Sequence, residues 1–203
     1  MKKYAVLHEP GDIVTLAGTR FVVLDVERRG SLPDSLFLLA LESVGASEFG
    51  SSNNYAESDL KKAVDKWLED MGKRGLDNAK LIPREIDLTT LDGSGCYGKL
   101  SVKAAPLTLD EAREYADIIP NAERWCWLAT GWSGPSKSDG DLALFVDSNG
   151  DWYDISCSYS CGFRPALKAP SILFEDSEAG LDLSKIPTDD LLQEIHRRLA
   201  EKA

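Results

Sequence analysis

The chain has 203 residues, of which 43% are hydrophobic and 28% charged; this is enough for one sizeable core and unlike a collagen, a coiled coil or a largely disordered chain. Its 23 Lys and Arg stand against 34 Asp and Glu, a formal net charge of −11, which argues against direct nucleic-acid binding, where affinity comes from basic side chains releasing counterions. The acidity suits solubility or a protein partner with a basic surface, and no segment has the roughly 18 uninterrupted apolar residues that a membrane helix needs.

The amino terminus reaches Glu9 and Pro10 before any long apolar run forms, so it does not read as a signal peptide. Ile13-Val14-Thr15-Leu16 and Arg20 to Val26 are β-branched runs around Ala17-Gly18-Thr19, which predicts an opening hairpin. Ser35 to Leu41 is short and apolar throughout, the pattern of a central strand covered on both faces. After the Ser, Gly and Asn-rich stretch 45–55, the residues Leu60, Val64, Trp67, Leu68 and Met71 recur at helical spacing. Ser58 is the expected N-cap of that helix, and Gly72 or Gly75 its end.

Leu81 to Leu91 can hold a short strand, with Asp92-Gly93-Ser94-Gly95 as a turn. Thr108 and Glu111 have capping-box spacing, so a second helix should start there and bury Ala112, Tyr115, Ala116 and Ile119. Four strand-like segments follow: 124–129, 141–146, 151–155 and 162–167. Asn149-Gly150 is the expected turn between the second and third of them. Strands at both ends with two helices between them imply an α+β fold in which both ends contribute to a mixed or antiparallel sheet. The acidic stretch 175–184 reads as a surface linker, and Thr188 to Leu199 as a C-terminal amphipathic helix with Leu191, Leu192, Ile195 and Leu199 on its apolar face.

Candidate chemistry is sparse. With His8 and His196 the only histidines, a histidine-rich metal site is excluded. Asp147-Ser148-Asn149-Gly150-Asp151, with Asp154 beyond it, alternates oxygen ligands as calcium loops do, but it lacks their closing Glu and reads better as a hairpin turn. Four cysteines, Cys96, Cys126, Cys157 and Cys161, are too scattered for a disulfide scaffold, and reduced thiols are the simpler reading. Cys157 and Cys161 read either as two unreactive thiols or as a pair that approaches in a loop as a disulfide or metal pair. Neither a metal nor another cofactor is expected.

The segment from Thr130 to Gly140 is long, small and polar around Trp132. Together with the region 151–160 it has the Trp, Tyr, Ser, Gly and Asp mixture of recognition surfaces. Candidate ligand-binding residues are therefore Trp132, Ser133, Ser136, Lys137, Asp139, Trp152, Tyr153, Asp154, Ser158 and Tyr159. The alternative is that Trp132 and Trp152 are core residues and the loop a mere connector.

Several motifs carry a family resemblance: Gly11-Asp12-Ile13-Val14 with Phe21 to Leu24, Tyr55 to Leu60 with Trp67-Leu68, and Leu107 to Ala112 with Tyr115. Further on come Trp125-Cys126-Trp127-Leu128-Ala129-Thr130 and the closing Gly162-Phe163-Arg164-Pro165-Ala166-Leu167. Over residues 11–168 this order resembles a family of bacterial and prophage-encoded domains of unknown function. That family is similar in turn to the C-type-lectin-like fold of sulfatase-modifying factors and retroelement-diversified receptor proteins. Where the family has Trp-Trp-Leu-Arg-Ser-Pro this chain has Trp125-Cys126-Trp127-Leu128-Ala129-Thr130, without the Arg.

The resemblance implies a lectin-like domain over residues 1–170, followed by the linker and helix over 171–203. It makes Trp125, Trp127, Gly162, Phe163, Arg164 and Pro165 structural, with Arg164 able to form a forked buried ion pair. The function it implies is non-enzymatic recognition of a protein partner through the C-terminal loops and strands, in a bacterial cytoplasm or on a phage particle. Two other functions come with the same motifs and the acidity: a phage inhibitor of a host defence nuclease, and a thiol or copper oxidase using Cys157 and Cys161.

Overall fold

The computed structural model describes residues 8–29 and 32–174, with Thr188 and Leu192 beyond them. The predicted acidic linker and, apart from those two positions, the predicted C-terminal helix lie outside the described residues, as does His196.

The first half contributes β1 (Ile13–Leu16), β2 (Thr19–Arg29), β3 (Leu32–Ala40), β4 (Gly45–Glu48), α1 (Asp59–Lys73) and β5 (Arg84–Asp87). The second contributes β6 (Lys99–Val102), β7 (Ala104–Ala105), α2 (Leu109–Glu114), β8 (Cys126–Gly131), β9 (Leu142–Val146), β10 (Trp152–Ser156), β11 (Ser160–Phe163) and β12 (Ala166–Pro170). One five-stranded sheet has the order β1-β2-β3-β12-β7 and is antiparallel throughout. The other has the order β10-β9-β8-β11-β4 and is mixed, because β11 runs parallel to β8. The short β5-β6 pair stands apart from both. The fold is thus α+β and dominated by sheet.

Strand alternation divides the interior in two. Phe21, Val23, Leu36 and Leu38 face a core shared with α1 and with Trp127, Phe145 and Phe163 of the second sheet. Their neighbours Val22, Leu24 and Leu39 face a second core with Leu109 and Ala112 of α2 and with Leu128 and Leu144. Because both faces are covered, β2 and β3 carry nearly continuous apolar runs where a half-exposed strand would alternate.

The helices follow local chemistry. Ser58 Oγ accepts from the Lys61 amide at 2.9 Å, and α1 buries Leu60, Val64, Trp67 and Met71, with Leu68 half-buried. Each such side chain contributes about 1.5–3 kcal/mol of apolar transfer. The Thr108–Glu111 capping box is present at α2. The predicted stripe is only partly right, however: the helix ends at Glu114, so Tyr115, Ala116 and Ile119 lie beyond it, and Ala116 is exposed. Pro120 follows too closely for the helix to run on through Ile119.

The closing motif is also reorganised. Residues 162–167 are not one strand: Gly162-Phe163 end β11 in the second sheet, and Ala166-Leu167 begin β12 in the first. A Cβ at Gly162 would lie 2.5 Å from Ser43 Oγ and 2.7 Å from Arg124 Cδ, so any larger residue there would have to displace those two side chains. Arg164 makes no ion pair among the described residues. Its Nε donates instead to the Ala40 carbonyl at 2.8 Å and its Nη1 to the Pro120 carbonyl at 2.9 Å. No carboxylate reaches it because its neighbours are the backbone at the joint between the sheets. Trp125, expected as structural, is 50% exposed, whereas Trp127 is 1% exposed.

The β1-β2 turn is the two-residue kind, with Leu16 paired to Thr19. Ala17 (φ 47°) and Gly18 (φ 76°) both occupy the left-handed region, as the twist of a tight hairpin requires. Ala17 is the poorer fit, since a side chain there costs roughly 1–2 kcal/mol. Glycine removes that cost but loosens the unfolded chain by roughly 0.5–1 kcal/mol. Ala17→Gly should therefore raise stability by about 0.5–1 kcal/mol, seen as a higher urea midpoint at unchanged m-value.

Candidate functional site

The segment between β8 and β9 is a pinned loop. Asn53 is buried beneath it and donates from Nδ2 to the carbonyls of Ser133 at 2.9 Å and Leu142 at 3.0 Å. Asn53 Oδ1 accepts from the Tyr97 hydroxyl at 2.6 Å. From the other side, the amides of Leu91 and Asp92 donate to the carbonyls of Gly131 and Trp132. The Asp92 carboxylate then takes the Lys137 ammonium and the Thr90 hydroxyl.

This anchoring divides the candidate residues. Ser133 is buried, and Trp132 is half-buried against the second core, so neither offers its side chain freely. Ser136 and Lys137 are exposed, and Asp139 is half-buried beside the Ser138 hydroxyl. Ser158 is exposed and shares a 3.0 Å contact with Ser156 Oγ, and Tyr159 stands exposed at the turn into β11. On the edge strand β10, Trp152 and Tyr153 are both exposed and Asp154 is half-buried. As consecutive strand residues, Trp152 and Tyr153 point to opposite faces, so the structure does not bring them into one patch. Trp152 lies under the Arg113 guanidinium, 5.5 Å from its ring centre.

Tyr153 has a different companion. The Phe145 ring stacks on Trp125 (centroids 4.9 Å apart, planes 26° apart) and lies 5.9 Å and 32° from Tyr153. Three rings thus form a row across the ends of β8, β9 and β10, the first pair stacked and the second tilted, with the two outer rings half-exposed and the central one buried. Behind the row, Trp127 meets Phe145 edge-on and continues through Phe49 to Tyr55, and Trp127 Nε1 donates to the Ser47 carbonyl at 2.9 Å. Trp125 was missed as a surface residue because its alternation with Trp127 places both on one face, and sequence does not say where along that face the cover ends.

Comparison with family models, with curated proteins and with solved structures finds no match to this chain.

The remaining candidates are quieter chemically. Asp147 Oδ1 accepts from the amides of Asn149 at 2.8 Å and Asp151 at 3.0 Å, so it closes the β9-β10 turn, where Gly150 has φ 91°. Among the described residues no group of three or more His, Cys, Asp or Glu is placed to hold a metal ion. All four cysteines are free. Burial pushes the Cys157 thiol up to about 12 and the Cys161 thiol up to about 11, which opposes the thiolate that redox chemistry and metal binding require.

Two outcomes follow for the loop. Asn53→Ala strands the buried Ser133 carbonyl, takes one of two donors from the Leu142 carbonyl, which keeps the Trp132 amide, and removes the acceptor of the Tyr97 hydroxyl; it should cost roughly 2–4 kcal/mol in denaturant unfolding. The Asp92 carboxyl is held down at about 2, first by the Lys137 hydrogen bond and then by Thr90. Folding lowers this pKa, so the clasp contributes fully above the ordinary value of 3.8 and is lost as pH falls through about 2. A carboxyl-carbon NMR titration of Asp92 should show a midpoint near that lower value, and Lys137→Ala should move it upward.

Proposed function

We propose that this chain is a non-enzymatic recognition domain that binds a protein partner through the aromatic row Trp125-Phe145-Tyr153. The observation that carries this reading is that Trp125 and Tyr153 are 50% and 52% exposed yet each packs its ring against the buried Phe145 ring between them. Rigid Trp and Tyr side chains supply a large contact area at low entropic cost, and such residues dominate binding energy at protein interfaces. The acidity supports a partner with some basic character at the rim. Many surface acids, however, are already engaged locally, as in Lys61–Asp65, Lys62–Asp59, Lys73–Asp70 and Lys99–Glu85. We therefore place the aromatic row at the centre of the interface and the acids around it.

The reading includes a C-type-lectin-like arrangement of the kind encoded by phages and prophages. Its supports are the early strand β3 pairing with the late strand β12, and a second sheet of late strands carrying a long loop between β8 and β9.

The test is binding by the purified chain of a partner isolated with it, compared between wild type and the Trp125→Ala/Tyr153→Ala double variant. Loss of two interface anchors should weaken Kd by about 30-fold or more. The melting temperature should change little, since both side chains are half-exposed. Equal affinity of the double variant, or loss of a glycan ligand in place of a protein one, would overturn the proposal.

A further inference from the structure

Arg84 and Arg164 both bury their guanidinium groups, but only one of the charges is compensated. Arg84 pairs with Glu111, donates to the carbonyls of Ala105 at 3.2 Å and Pro106 at 3.3 Å, and lies 5.2 Å from the Phe37 ring centre. Arg164 is 7% exposed, and its two carbonyl acceptors use only Nε and Nη1. Its Nη2 is buried and has no hydrogen-bond partner among the described residues. A guanidinium stays protonated in proteins, so this is a buried positive charge with idle donors. Such groups cost several kcal/mol unless an anion or acceptor meets them.

Arg164 lines a cleft between the α2 face of the second sheet and the segment that follows α2. Leu128 and Val146 form apolar walls, Cys126 lies beside the arginine, and the exposed residues Asn121 and Trp152 stand at the rim. The cavity volume is about 90 Å³. On that measure a single water needs about 10–15 Å³, so the cleft offers roughly six to nine water-sized positions. That is room for one ring or a short branched chain with a charged head.

The chemistry narrows the occupant. A single buried guanidinium whose charge no carboxylate meets among the described residues matches one compact anionic head, a carboxylate, which accepts charge-assisted hydrogen bonds. A phosphate would demand more donors than this largely apolar cleft provides. We propose that the cleft binds a small monocarboxylic acid with a compact apolar body, its carboxylate drawn to the Arg164 guanidinium and its body between Leu128 and Val146. This site is separate from the aromatic row, since Leu128 and Val146 alternate in their strands with Trp127 and Phe145 and so face the other way.

The test is an NMR titration of the ¹⁵N-labelled full chain with benzoate and with 3-methylbutanoate, using benzamide as the neutral counterpart. Both acids should shift the Trp152 indole and the Asn121 side-chain amide saturably, with benzamide binding at least tenfold more weakly. Arg164→Gln should abolish the preference for acid over amide. Because Arg164 also holds the backbone at the sheet joint, a second variant, Ala116→Trp at the exposed rim, should block entry without lowering the melting temperature. Absence of saturation with both acids, equal binding of benzamide, or shifts that persist in Ala116→Trp would overturn the proposal.

Discussion

The fold turns on how the chain passes from one sheet into the other at Arg164-Pro165. β11 ends the second sheet at Phe163, and β12 enters the first at Ala166, so two residues must carry the backbone across while their polar groups stay satisfied. Proline brings no amide that would need a partner, and its carbonyl accepts from the Ala40 amide at 2.9 Å. Arg164 supplies the remaining donors, reaching the end of β3 through Ala40 and the segment after α2 through Pro120. Three parts of the chain distant in sequence are therefore joined by one side chain. No aliphatic residue could do this, because a buried carbonyl left without a donor costs as much as a lost hydrogen bond.

From that joint the two cores follow. β12 inserts between β3 and β7, while β11 inserts between β8 and β4, so the motif places the strands around it centrally in both sheets. Strands in such positions are covered on both faces. Edge strands lack one ladder partner, and β10, which among the described residues pairs with β9 alone, carries the exposed side chains of Trp152 and Tyr153. The aromatic row keeps its geometry because Phe145, on the strand inside the edge, is locked edge-on against Trp127.

Sequence made the locally determined features legible. The Ser58 cap, the Thr108–Glu111 capping box, the Ala17-Gly18 turn and the double-faced run of β3 depend on residues within a few positions of one another, and each forms where its chemistry places it. The features that were not legible depend on partners remote in the chain. The break between β11 and β12 is invisible in Gly-Phe-Arg-Pro-Ala-Leu because the motif reads equally well as one continuous strand. The acceptors of Arg164 are backbone carbonyls, which carry no residue signature, so an acidic partner was the natural but incorrect expectation. Asn53, 80 residues from Ser133, is an ordinary loop residue until the loop lies over it.

The candidate binding residues show the same division within a single strand. Composition grouped Trp152 with Tyr153 because both are large aromatics beside small polar residues, but composition carries no direction. Pairing of β10 with β9 sets Trp152 beside Val146 and Tyr153 beside Phe145. Val146 lines the cleft that contains Arg164, and Phe145 is the centre of the aromatic row. Two adjacent residues therefore serve two different surfaces, one concave with a buried cation and one convex with exposed rings. A one-residue change in the register of β10 would exchange them.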